Sequence, residues 1–235
     1  MKEKLTMLNN TSIWELIDPP SGANIVGSKW VFNAKKDAAG NIVCYKACLV
    51  AQGFSQVPGV DYFDTFAPVA KLVSICAILA IAAACNMEIH QIDIKGAFLN
   101  GKLTDNECIY MWQPPGFINS AHPLQVCHLK KMLYGLKQSG RQWYQQLHEI
   151  LIDKVGFMHC NIDQSVFYKM TDHGLTIILV HVDNCTIAVT SIGLVNWAKD
   201  GVKEFVEITD LGEIHWLLSI ELKRDHKASK LMLSQ

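Results

Sequence analysis

Two aspartates stand where this chain could do chemistry. Asp93 closes His90-Gln91-Ile92-Asp93, and Asp183 lies in His181-Val182-Asp183-Asn184, directly after the apolar run Ile177-Ile178-Leu179-Val180. An Asp at a strand end commonly does no more than bond its own backbone. The second case differs, because a carboxylate at the tip of a buried hairpin needs a partner, and a divalent cation is one. Two carboxylates from separate strands converging on Mg²⁺ serve phosphoryl and nucleotidyl transfer. One metal polarises the attacking 3′-oxygen and another neutralises the leaving diphosphate. Spacing by itself leaves their convergence open. A metal-dependent hydrolase built from Asp93, His90 and His181 competes with this reading. Period-2 alternation opposes it, since it puts His90 on the strand face opposite Asp93. The same alternation puts Asp183 on the face of His181.

Other chemistries find no foothold. The chain has no GxGxxG, GxxxxGK[ST], HExxH or GxSxG. Its eight cysteines include no CxxC pair, and Cys44 and Cys48 have no second pair at zinc spacing. Reduced, mostly buried thiols suit a cytoplasmic or nuclear protein. The N-terminus lacks a secretory h-region, and the longest apolar run, Leu72 to Cys85, is shorter than the roughly 20 residues that span a bilayer. The reading is therefore no membrane partner and no secretion. A net charge of −1 supplies no basic field that would nominate a nucleic-acid binder.

The elements that must position these residues follow from pattern. With 50% hydrophobic and 18% charged residues, 235 residues make a real core. No linker or repeat divides them. A short polar helix and a strand precede Pro19-Pro20. Residues 29–35 and 42–51 alternate about a Gly-containing turn, a hairpin with Trp30 and Phe32 on one face and Tyr45, Ala47 and Leu49 on another. Residues 70–86 read as a helix apolar nearly all round and hence buried. Strands are expected at 87–94, 107–111, 165–168, 175–182 and 185–189, helices at 141–155 and 194–206, and a last hairpin pairing 214–222 with 230–233. Helices mixed with antiparallel hairpins make an α+β fold.

Longer words in the sequence carry more. Ser28-Lys29-Trp30-Val31-Phe32, Tyr45 to Phe54, Asp61 to Val69, His90 to Gly101, Leu133 to Gln138, His181 to Asn184 and Leu211-Gly212-Glu213 resemble, in order, copia-type LTR-retrotransposon reverse transcriptases. The resemblance runs from about Trp14 to Gln235. It implies an RNA-directed DNA polymerase with a fingers-and-palm fold, the palm a ferredoxin-like antiparallel sheet with packed helices. The fingers would occupy about 26–85 and the palm about 86–235. Asp93 and Asp183 would be catalytic aspartates, with Asn184 beside them. Asp93, Asp183 and the Ile94 carbonyl would ligate Mg²⁺ or Mn²⁺. Phe98 resembles the ring that excludes a 2′-hydroxyl, and Lys35, Lys36, Gly135 and Lys137 stand where the family contacts the nucleotide. On the residues alone, the lysines read as a solvated face and Phe98 as a core aromatic. An RNA template, a DNA primer and deoxynucleoside triphosphates are the implied partners. The end at Leu231–Gln235 resembles a point where the family continues, so a thumb and a ribonuclease H are expected to be absent.

Most of the departures follow one pattern. The family's palm word Tyr-x-Asp-Asp is here His181-Val182-Asp183-Asn184, and Cys48 stands where a triphosphate-binding arginine is expected. Cys44, Cys76, Trp112, His128, His159 and His226 also replace common arginines, and Ser219 replaces a glycine. Of 21 Lys and Arg residues only Arg141 and Arg224 are arginine. The changes from arginine to Cys, His or Trp, from aspartate to Asn and from glycine to Ser can each arise from one C→T or G→A step, as in cytosine deamination of a silenced element. The expectation is a degenerate remnant impaired by Asn184, Cys48 and truncation, a pseudoenzyme. A non-catalytic module binding RNA or element proteins is the alternative, and a chain unable to fold stably is a further one. Sequencing the coding DNA checks the decay: TG or CA is expected at the affected codons, and unrelated codons there would overturn it.

Overall fold

In the computed structural model the described residues are 1–36, 40–104 and 106–234. By contact they form two compact units, Met1–Phe66 with Phe98–Trp143, and Ala67–Ala97 with Tyr144–Gln235. This is a division by packing, and its borders differ from the fingers-and-palm border drawn near 85/86.

In chain order, the first unit opens with α1 (Lys2–Asn10), β1 (Trp14–Ile17), β2 (Ile25–Val26), β3 (Ser28–Lys36) and β4 (Ile42–Ala51). The second unit then contributes α2 (Leu72–Ala84) and β5 (Glu88–Ile94). A single turn, α3 (Ala97–Asn100), precedes β6 (Tyr110–Met111) and β7 (Val126–Leu129). The helix α4 (Ser139–Glu149) runs into a π-helical turn, Ile150–Lys154, and Gly156 ends it at φ +80. Next come β8 (Met158–His159), β9 (Val166–Thr171), β10 (Gly174–His181), β11 (Asn184–Val189), α5 (Ile192–Lys203) and β12 (Ile208–Glu213). A three-stranded sheet of β13 (Trp216–Leu217), β14 (Ile220–Asp225) and β15 (Lys230–Ser234) follows.

The first unit holds the sheet β1-β7-β6-β2 and the β3–β4 hairpin. Leu8, Ile13, Leu49, Met111, Leu129 and Met132 lie in its core. In the hairpin, Trp30 pairs with Leu49 and Phe32 with Ala47. Directly opposed residues project to the same side, so the two sets expected on separate faces share one.

The second unit is organised by the sheet β12-β5-β11-β10-β9-β8, with every neighbouring pair antiparallel. On the Asp93 face, Ile89, Ala188, Ile177 and Leu179 pack with Ile75, Ile78 and Leu79 of α2. On the other, α5 lies against β5, β10, β11 and β12. The full burial expected of α2 does not occur. It buries Ile75, Ile78, Leu79 and Ala82, the spacing of one helical face, while Leu72, Val73 and Ile81 are exposed. The strand β12 escaped the sequence reading because Asp210, Gly212 and Glu213 break its alternation, and a bulge falls between Asp210 and Gly212.

No side chain of its own caps α2. Asp163 does so from a distant loop, accepting hydrogen bonds from the Lys71 N–H (3.1 Å) and the Ser74 hydroxyl (2.6 Å). The Ser165 N–H adds a third at 3.0 Å. Burial pushes the Asp163 carboxyl up, but these hydrogen bonds outweigh it and hold the group below its ordinary value. Asp163→Asn should therefore destabilise the chain by about 1–3 kcal/mol at neutral pH. A depressed carboxyl stabilises above its unfolded value and loses that contribution as pH falls through its folded value. The gap in Tm between the two chains should accordingly narrow below about pH 4. A gap independent of pH would assign the effect to something other than the carboxylate.

Candidate active site

The two sequence-predicted aspartates lie at one end of the second unit's sheet. β10 and β11 are joined by the two-residue turn Val182-Asp183, with His181 and Asn184 as the closing pair. Val182 holds φ +60, an unfavourable conformation for a β-branched residue, as in hairpin turns that place only their first central residue at positive φ. Asp183 is thus a turn residue and has no strand face to share with His181. The residue directly opposite Asp93 across the ladder is Asn184. The tip is bound back to β5 by the Ile94 N–H, which donates to the Asp183 carbonyl at 2.8 Å. Ile94 also pairs with Ile208 of β12, so its backbone is held on both sides.

Both carboxylates act on one neighbouring group. The buried Cys185 thiol is pushed up to about 12, first by burial and then by the negative charges of Asp183 and Asp93. Both carboxylates are half-buried. The Asn184 amide donates from Nδ2 to Asp183 Oδ1 at 3.2 Å. A carboxylate at 184 could not donate there, and would add a negative charge to the pair.

The donor set suits a hard cation: two carboxylates near the Ile94 backbone. Among the described residues no group of three or more His, Cys, Asp or Glu side chains could hold a metal ion. The two aspartates fit Mg²⁺ in kind, while the Asn184 amide occupies one of their oxygens. His90 lies on the other face, where Lys199 approaches its Nδ1 at 3.1 Å and donates to Asp210 at 2.6 Å. Burial, then the Lys199 charge, holds the His90 imidazole below its usual value. His90 belongs to this group around the buried Lys199 and does not join Asp93.

The remaining predicted residues belong to the first unit. Phe98 is half-buried, its ring edge-on to Tyr134 at 5.1 Å. Gly135 has φ +92, and a Cβ there would fall 2.2 Å from the Ala51 carbonyl oxygen. The Ala51 N–H donates to the Tyr134 carbonyl at 2.7 Å, and a Cβ on Gly53 would meet the Gly135 oxygen at 2.1 Å. Backbone therefore runs on backbone, and glycine is needed for that contact alone. Lys137 is exposed, while its N–H donates to Gln56 Oε1 at 2.7 Å. Cys48 is half-buried opposite Val31. Lys35 and Lys36 end β3, and their side chains lie outside the described residues. Gln56, Asp61 and Gln138, all buried, were missed. Polar residues near Gly and Pro read as solvated loop, and only a long-range contact map could reveal their burial.

Residues 11–235 match the family described as reverse transcriptase (RNA-dependent DNA polymerase), and the chain belongs to it. Its relatives place it more narrowly, among copia-type retrotransposon sequences. It is 41% identical over 212 residues to the retrovirus-related Pol polyprotein from transposon RE1 of Arabidopsis thaliana, covering 90% of this chain and 14% of that protein. With the Pol polyprotein from transposon TNT 1-94 of Nicotiana tabacum, identity is 36% over 236 residues, covering 100% of this chain and 18% of that protein. The chain thus spans under a fifth of these relatives. A solved apo telomerase from Candida Tropicalis, truncated from its C-terminal domain, matches with a TM-score of 0.48 and 6% identity, covering 99% of this chain and 59% of that one.

The Gly135 contact gives a direct test. Gly135→Ala adds a methyl into backbone at a left-handed φ, and should destabilise the chain by about 2–4 kcal/mol in denaturant melts. An unchanged midpoint would show that the loop is free to move off Ala51.

Proposed function

We propose that this chain is the nucleotidyl-transfer domain of a copia-type RNA-directed DNA polymerase, its activity lowered by the loss of one carboxylate. The observation that carries the reading is the cross-strand pairing of Asp93 with Asn184, one residue from Asp183. The order β12-β5-β11-β10, with helical segments between β5 and β10 and between β11 and β12, supports a ferredoxin-like palm. Asp93, Asp183 and the Ile94 carbonyl would hold Mg²⁺ or Mn²⁺, which would supply a polarised 3′-oxygen and a neutralised diphosphate. The protein's own part is to fix two carboxylates on a rigid sheet and a bound turn. Phe98 would select deoxynucleotides, and Gly135, Lys137, Lys35 and Lys36 would contact them. An RNA template and a DNA primer complete the proposed partners. Among the described residues no helix is long and apolar enough to cross a membrane.

Reduced activity has support at several places. Asn184 keeps the shape of an aspartate without its charge, and Cys48 cannot make a bidentate phosphate contact. Two other positions read as former arginines also face carboxylates. His128 Nδ1 lies 3.2 Å from Glu15, and His226 Nε2 lies 3.8 Å from both Glu88 and Glu213. Such surroundings suit a permanent cation better than an imidazole.

Extension of a DNA primer on an RNA template with Mg²⁺ tests the proposal. The Asn184→Asp chain should extend at least about tenfold faster than the unaltered one. Asp93→Asn should remove what extension there is. Equal extension by the unaltered and Asn184→Asp chains would overturn the impairment, and extension surviving Asp93→Asn would overturn the site.

A further inference from the structure

The loop carrying Gly135 and Lys137 is fixed by a buried chain of amides. Gln138 is fully buried, and Gln56 and Asp61 are nearly so, at 6% and 2% exposed. Gln56 Oε1 accepts from the Lys137 N–H, and Gln56 Nε2 donates to Gln138 Oε1 at 3.1 Å. Gln138 Nε2 donates to the Asp61 carbonyl at 2.8 Å. The Asp61 carboxylate accepts from Asn24 Nδ2 at 2.6 Å and from the Val57 N–H at 2.7 Å. Asn24 Nδ2 also donates to the Ser55 carbonyl at 2.9 Å.

Each glutamine is engaged at both ends of its amide. Turning either one over would set acceptor against acceptor and donor against donor, so the network has one orientation. Apolar side chains could fill the same space without that risk, but could not hold a backbone N–H at a fixed point. The network ends on such a group, the amide of Lys137, whose own residue is exposed.

We infer that Gln56 and Gln138 are positioning residues, which hold the Lys137 backbone so that its ammonium meets a nucleotide triphosphate. The inference rests on the nucleotide-binding reading of Lys137. Neither glutamine is assigned contact with substrate. Gln56 acts on Lys137, and Gln138 acts on Gln56.

The test uses the full chain on an RNA template with a dideoxy-terminated DNA primer, which permits binding without chemistry. The readout is the dTTP concentration, with Mg²⁺, that half-saturates the gel-stable ternary complex. Gln56→Leu and Lys137→Ala should each raise it by about tenfold. The double variant should be no weaker than Lys137→Ala alone, because the two residues act through one contact. A merely structural glutamine would give additive losses, and additivity overturns the inference while leaving the nucleotide reading intact. No loss in Lys137→Ala, or no dTTP-dependent complex from the unaltered chain, overturns the nucleotide reading and the inference with it. Gln56→Asn keeps the amide but withdraws it by one methylene, and carries the same comparison if the leucine variant does not fold.

Discussion

The second unit depends on the register between β5 and β11. Asn184 opposite Asp93, Thr186 opposite Gln91 and Ala188 opposite Ile89 put one set of side chains on the α2 face. A slip of one residue would send all of them to the other side. The register is fixed from both ends. At one, the two-residue turn Val182-Asp183 sets β11 against β10, and the Ile94 N–H ties that turn to β5. At the other, Ile89, Ala188 and the α2 residues form one apolar cluster. That cluster in turn needs α2, whose N-terminus is capped by Asp163 from 92 residues away.

Much of this was legible in the sequence, and the reasons differ by residue. The strand β5 and the hairpin β10–β11 are dense in Ile and Val, so their existence and approximate bounds follow from pattern. The helix α2 was equally visible, but its burial was not. Uniform apolarity tells nothing of which side meets a sheet, and only one side does. The edge strand β12 pairs on one side and is half exposed, so its residues carry little apolar signal.

At the candidate site the limit was geometric. Period-2 alternation placed His90 away from Asp93 correctly, because both lie within one regular strand. It failed for Asp183, because alternation stops at a turn and Asp183 is the turn. Likewise no local signal marks Gln56, Asp61 and Gln138, whose burial comes from segments about eighty residues apart. The words shared with a polymerase family pointed to Gly135 and Lys137, but not to the close backbone contact that makes glycine necessary there.

Shape and charge separate at Asn184. An asparagine fills the space of an aspartate, keeps the pairing with Asp93 and offers Asp183 a hydrogen bond. Within the fold it removes repulsion between neighbouring carboxylates, a change that favours the folded chain. For a site that binds cations the same change runs the other way, since attraction for Mg²⁺ grows with each carboxylate brought near. At His128 and His226 the side chain reaches its carboxylates but carries a full charge only when protonated. An exchange of aspartate for asparagine of this kind leaves packing and register in place while it weakens the negative field at the end of the sheet. The fold and the charge it presents are thus set by separable properties of one side chain.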